Sequence, residues 1–204
     1  MGAIVIRNIV FIILISFTFV SCSVLQNGYT NEYGEYVPKI PRFKLKDKQG
    51  VFPELLDTTN IYRMIEMYND GNLVYPKNNF STEERYSFIF EMNQAIRYLK
   101  FYPNGRCLMF SIPIKDAFGM PNSLKETDLN PNNQHCSKNY YYSPNGKDIQ
   151  MESFVYGDGQ GHYVISHYTL DNSGDTLIMQ GKYLKIIYKK ETIPTNWNRY
   201  KIDW

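Results

Sequence analysis

The stretch from Asn139 to Lys190 constrains the fold more than any other, because turn residues divide it into short apolar-polar alternating runs. Ser143-Pro144-Asn145-Gly146 separates Tyr140-Tyr141-Tyr142 from Asp148–Tyr156. Gly157-Asp158-Gly159-Gln160-Gly161 precedes Tyr163–Leu170, and Asp171-Asn172-Ser173-Gly174-Asp175 precedes the run Leu177–Lys190. Alternation at period two between Gly/Asn/Asp/Pro clusters is the pattern of antiparallel strands joined by hairpins. The 18 tyrosines among 204 residues fit a half-buried sheet surface, ring inside and hydroxyl wet.

The same device recurs upstream. Asn69-Asp70-Gly71-Asn72 reads as one hairpin turn and Pro103-Asn104-Gly105 as another. Both Pro103-Asn104-Gly105 and Pro144-Asn145-Gly146 fit a type I turn closed by a glycine bulge. Gly71, Gly105 and Gly146 are 34 and 41 residues apart, an unequal spacing that argues for a meander of hairpins and against a solenoid. Ser81-Thr82-Glu83-Glu84 has the form of a capping box, so 82–93 reads as a short helix, although Phe88, Phe90 and Met92 alternate equally well as a strand. The expected class is all-β: an antiparallel up-and-down meander, as a barrel or strongly curled sheet, with at most one short helix. Pro113–Ser137, rich in Asn and Pro, is the longest irregular stretch and the expected rim of any site.

Arg7 precedes an apolar run from Ile9 to Phe19, too short for the roughly 20 residues of a membrane-spanning helix. A basic start followed by a short apolar run makes a secretory signal over 1–21. Phe19-Val20-Ser21-Cys22 then resembles the lipobox of bacterial lipoproteins. The resemblance implies cleavage before Cys22, acylation (palmitate among the chains) at that cysteine, and a bacterial cell-envelope location. Ser23, in place of an inner-membrane retention Asp, favours the outer membrane. Residues 22–42 read as a tether and 43–204 as a single domain. Arg42, Lys44, Lys46 and Lys48 alternate with Phe43 and Leu45, as in a short strand with one solvated face.

Chemistry is sparse. A formal charge of +2 supplies no concentrated basic surface, so nucleic acid is not expected as a partner. Asp148 and Glu152 fall on one strand face about 13 Å apart, beyond the carboxylate separation of glycosidases, and a solvated polar face accounts for them. His162 and His167, five apart, point to opposite faces, and His135 lacks metal-site spacing. Asp171–Asp175 begins like a calcium loop without completing one, so a turn is expected. No catalytic motif, metal site or cofactor is expected. Cys107 and Cys136 form a possible disulfide in an extracytoplasmic compartment.

Phe101-Tyr102-Pro103-Asn104-Gly105-Arg106, and Gly174-Asp175-Thr176-Leu177 running into Ile187-Tyr188-Lys189-Lys190, are similar to the lipocalin-like domains of small bacterial lipoproteins. That resemblance implies a barrel holding a small apolar or amphiphilic ligand, with Tyr98, Tyr141, Phe154, Tyr168 and Trp197 as candidate lining residues. The alternative is a ligand-free lipoprotein that binds another envelope protein, as a scaffold or toxin-immunity factor. The two readings differ on the interior: a cavity in the first, packed side chains in the second.

Overall fold

The computed structural model describes residues 28–30, 36–40, 42–45, 55–77, 93–115, 118–131, 136–157, 160–198 and 200. The signal segment 1–21, Cys22, most of the tether, nearly all of the 82–93 helix-or-strand segment, His135 and Trp204 lie outside them. By contacts the chain divides into two compact units, Met1–Arg42 with Phe154–His162, and Phe43–Ser153 with Tyr163–Trp204.

In the smaller unit, β1 (Gly28–Thr30) and β2 (Tyr36–Pro38) form a two-stranded antiparallel ladder with Tyr29 opposite Val37. The larger unit carries most of a nine-stranded antiparallel sheet. Its strands are β3 (Ile61–Asn69), β4 (Asn72–Tyr75), β5 (Ala95–Phe101), β6 (Arg106–Pro113) and β7 (Cys136–Asn145). They continue as β8 (Asp148–Gly157), β9 (Gln160–Leu170), β10 (Thr176–Gln180) and β11 (Leu184–Glu191). The spatial order is β11-β10-β9-β8-β7-β6-β5-β3-β4, a meander of neighbours in sequence. The sheet curls through 223° into a half-barrel, and the described residues contain no α-helix. β11 also pairs with β3, the next-to-last strand of that order, from Leu184↔Asn69 to Glu191↔Ile61. β3 is shared on its other edge: Tyr62 and Arg63 pair with β5, and Met67–Asn69 with β4.

Local irregularities break the period-two alternation in β3 and β4. Ile187 faces Glu66 but Tyr188 faces Met64, so Ile65 is an extra residue bulged out of β3. The bulge resets the side-chain phase, and both Met64 and Met67 point into the core while Ile65 is exposed. A second bulge leaves Val74 and Tyr75 both buried.

The turns follow glycine. Asp70 and Gly71 both have positive φ (48° and 79°), the two-residue type I′ hairpin. At Gly105 (φ 78°), Gly105 N–H donates to Tyr102 O and Tyr102 N–H to Arg106 O, the expected type I turn with a glycine bulge. The turn after β7 differs from expectation. Pro144 and Asn145 remain in the ladder opposite Ile149 and Asp148, and the loop is Gly146-Lys147. With positive φ at Gly146 and not at Lys147, it follows the type II′ pattern. The run Leu177–Lys190 is likewise not one strand: Gly181–Tyr183 reverses the chain, with Ile178 opposite Ile187. Gly181 N–H donates to Leu184 O at 2.7 Å and closes that turn.

Two apolar clusters fill the two faces of the curl. The larger takes alternate residues from every strand β3–β11, including Tyr62, Leu99, Phe101, Tyr142, Met151, Tyr168, Leu177 and Tyr188. Phe101 sits edge-on to Tyr62 and to Tyr142, with ring centroids at 5.7 and 5.0 Å. The smaller lies on the outer face of β5 and β6 and contains Tyr98, Leu108, Phe110 and Ile112. The loop residues Leu124 and Leu129 and the C-terminal Ile193, Trp197 and Tyr200 cover it. The tail therefore packs on the outer face of the sheet, anchored where Ile193 N–H donates to Asn60 Oδ1 at 3.1 Å.

Candidate functional site

Of the aromatic residues expected to line a pocket, Tyr98, Tyr168 and Trp197 lie in two apolar clusters. Tyr168 belongs to the inner cluster, 6.3 Å from the Tyr188 ring. Tyr98 stacks on Phe110 at 5.2 Å in the outer cluster, against which Trp197 packs. Phe154 is buried in the smaller unit, and the Tyr141 side chain lies outside the described residues. Only Tyr98 and Trp197 share a cluster, and that cluster is a packed one.

Among the described residues the inner face is filled with large side chains. Tyr62, Tyr142, Phe101, Met64 and Leu99 are all less than 2% exposed. The Tyr142 hydroxyl donates to Tyr102 O at 2.6 Å and the Tyr62 hydroxyl to Gly174 O at 3.1 Å, so their polar ends are satisfied. Burial pushes the Tyr142 and Tyr188 hydroxyls well above their ordinary range. Cys107 is a free thiol buried in this core, its pKa raised by the same desolvation. The proposed bridge to Cys136 is not formed. Cys136 stands opposite Phe110, three residues along β6 from Cys107, about 10 Å at strand spacing.

Two charged side chains are buried outside this core. Lys100 shares the outer face of β5 with Tyr98, is 2% exposed, and donates from Nζ to Thr58 O (2.8 Å) and Asn60 O (3.3 Å). Burial lowers its pKa to about 8, against the opposing pull of Asp57. Burial would raise Asp57, but hydrogen bonds from Asn60 and Thr59 outweigh it and hold that carboxyl at about 2. Glu152 is the second. The expected solvated face does not apply to it: Glu152 is 0% exposed because residues 43–45 lie over it. Leu45 N–H donates to Glu152 Oε2 at 2.8 Å, and Phe43 meets the Tyr163 ring edge-on at 5.0 Å. Phe43 and Leu45 are buried while Arg42 and Lys44 stay exposed, the alternation expected of this segment.

A polar cleft of about 380 Å³ on the described surface is lined by Asn145, Asp148, Gln150, His167, Tyr168 and Thr169. Asp148 and Gln150 alternate outward on β8, opposite in sense to the buried Ile149 and Met151. His167 and Thr169 do the same on β9, and the Thr169 hydroxyl donates to Asp148 Oδ1 at 3.1 Å. Sequence reading had noted Asp148 and His167 separately; their meeting depended on which strands are neighbours.

Asp171 is spent on its own turn. Its Oδ1 accepts from Ser173 Oγ and from Asp175 N–H. Desolvation would raise its pKa, but hydrogen bonds from Thr176, Ser173 and Asp175 together outweigh it and hold the carboxyl at about 2. Asp175 in turn pairs with Lys190 at 2.6 Å. Between β6 and β7, the described residues expose Phe118 (90%) and Met120 (62%) beside the Lys115↔Pro121 bridge.

Compared with protein-family models, curated proteins and solved structures, the chain finds no match.

Proposed function

We propose that this chain is an extracytoplasmic lipoprotein, anchored through Cys22, that works as a non-catalytic protein-interaction module through its outer surface. The packed inner face carries this reading. A barrel that holds an apolar ligand keeps its interior open, whereas here Tyr62, Phe101 and Tyr142 occupy that space. The exposure of Phe118 and Met120 on the loop after β6 supplies the kind of aromatic surface that interaction sites use. The bacterial envelope, with the outer membrane favoured, is the location that the Ser21-Cys22-Ser23 pattern supports.

Two experiments test it. A photo-crosslinking residue placed at Phe118 in living cells is expected to capture one envelope protein, with the same residue at the exposed Leu73 as a control for position. Crosslinking that yields no discrete adduct at Phe118, or the same adducts at both positions, removes the reading. Labelled palmitate is expected to enter the wild-type chain and not Cys22→Ser; equal labelling of both overturns the anchor.

A further inference from the structure

The polar cleft on β8 and β9 has an unspent capacity for hydrogen bonding. Among the described residues, the side chains of Asn145, Gln150 and His167 make no hydrogen bond to protein, and Asp148 receives only the Thr169 hydroxyl. We propose that this cleft binds a neutral saccharide ring lying flat on the outer face of the sheet.

The argument is one of matching chemistry. Same-face neighbours on one strand stand about 7 Å apart and adjacent strands about 5 Å apart. Asp148, Gln150, His167 and Thr169 therefore mark a rectangle on the scale of a pyranose with its ring hydroxyls. Amide, imidazole and hydroxyl side chains can each donate and accept, and the carboxylate accepts strongly. Vicinal hydroxyls, which also do both, are the complement of that set. Other ligand classes fit worse. An anion such as phosphate would face the Asp148 carboxylate. A metal ion would find one carboxylate and one imidazole, and the described residues contain no group of three or more His, Cys, Asp or Glu that could hold a metal. An apolar ligand would have to desolvate five polar side chains.

The site is separate from the proposed interaction surface at Phe118, so either can fail alone. The test is calorimetric titration of the full chain, in a detergent without a sugar headgroup. Glucose, galactose, N-acetylglucosamine and their β-linked disaccharides are taken to about 50 mM, with inorganic phosphate and ethylammonium as charged controls. At least one neutral sugar is expected to bind. Asp148→Asn and Gln150→Ala, both at exposed positions where folding is little affected, are expected to weaken it by about tenfold or more. Thermal melting of each variant checks that it is folded. The proposal is overturned if no neutral sugar binds, if binding survives both substitutions unchanged, or if only a charged control binds.

Discussion

Replacing Phe101 by alanine tests whether the inner face is solid. Phe101 is 0% exposed and touches two other buried rings edge-on, Tyr62 and Tyr142. Truncating a fully buried Phe costs about 3–5 kcal/mol, because the lost transfer energy adds to that of the cavity left behind. Here the rings on both sides are held by their own hydroxyls, to Gly174 O and Tyr102 O, so neither can swing in to fill the space. That places Phe101→Ala toward the upper end of the range, about 4 kcal/mol. Phe101→Leu keeps most of the volume and loses mainly the ring contacts, about 1–2 kcal/mol. Urea unfolding followed by far-ultraviolet circular dichroism measures both, provided the slope with denaturant is unchanged. A cost below about 1.5 kcal/mol for Phe101→Ala would mean that the ring already borders an open space, and the packed-interior argument would be refuted.

Other consequences are as specific. Because the folded pKa of Lys100 lies near 8 and the unfolded one near 10.5, the unfolded chain binds the extra proton between these values. The stability difference between the wild type and Lys100→Met should therefore shift in favour of the wild type as pH rises across that window, followed by denaturation from pH 7 to 11. The difference removes the opposing titration of the buried Cys107, Tyr142 and Tyr188, whose raised pKa values lower stability as pH rises. Gly174 has φ +74°, and an added Cβ would stand 2.4 Å from Leu55 O. Gly174→Ala should cost at least about 2 kcal/mol, strain and clash together, in the same unfolding assay. Tyr142→Phe removes the hydroxyl bonded to Tyr102 O and should cost about 1–2 kcal/mol. Glu152→Ala removes the acceptor for Leu45 N–H, and limited trypsin digestion should then cut after Arg42 or Lys44 faster than in the wild type.

Much of the fold was legible in the chain because it is written locally. Glycine at 71, 105 and 146 marks turns that need positive φ, and the alternation of Ile149 and Met151 with Asp148 and Gln150 marks an inward face. What was misread depended on contacts distant in sequence. Glu152 looks like any outward carboxylate until Leu45, 107 residues earlier, is laid over it. Lys100 is buried because Thr58 and Asn60 offer carbonyls that its own strand pattern does not announce. Pro144-Asn145-Gly146 carried type I turn chemistry, but the pairing of Asn145 with Asp148 moved the turn two residues onward to Gly146-Lys147. The aromatic residues were too uniform a signal to sort. Tyr98 and Tyr168 read alike in sequence, yet they sit in separate clusters, and strand register alone distinguishes them. The same holds for the polar cleft, whose members come from three strands.

The central claim, that the inner face is full and function lies on the outside, is tested most directly by native mass spectrometry of the full chain extracted gently from its membrane. A mass equal to polypeptide plus covalently attached acyl groups, repeated over independent preparations, is the expected result. A reproducible additional apolar mass that organic solvent strips away, and that Phe101→Trp abolishes, would contradict it and restore the barrel as a ligand carrier.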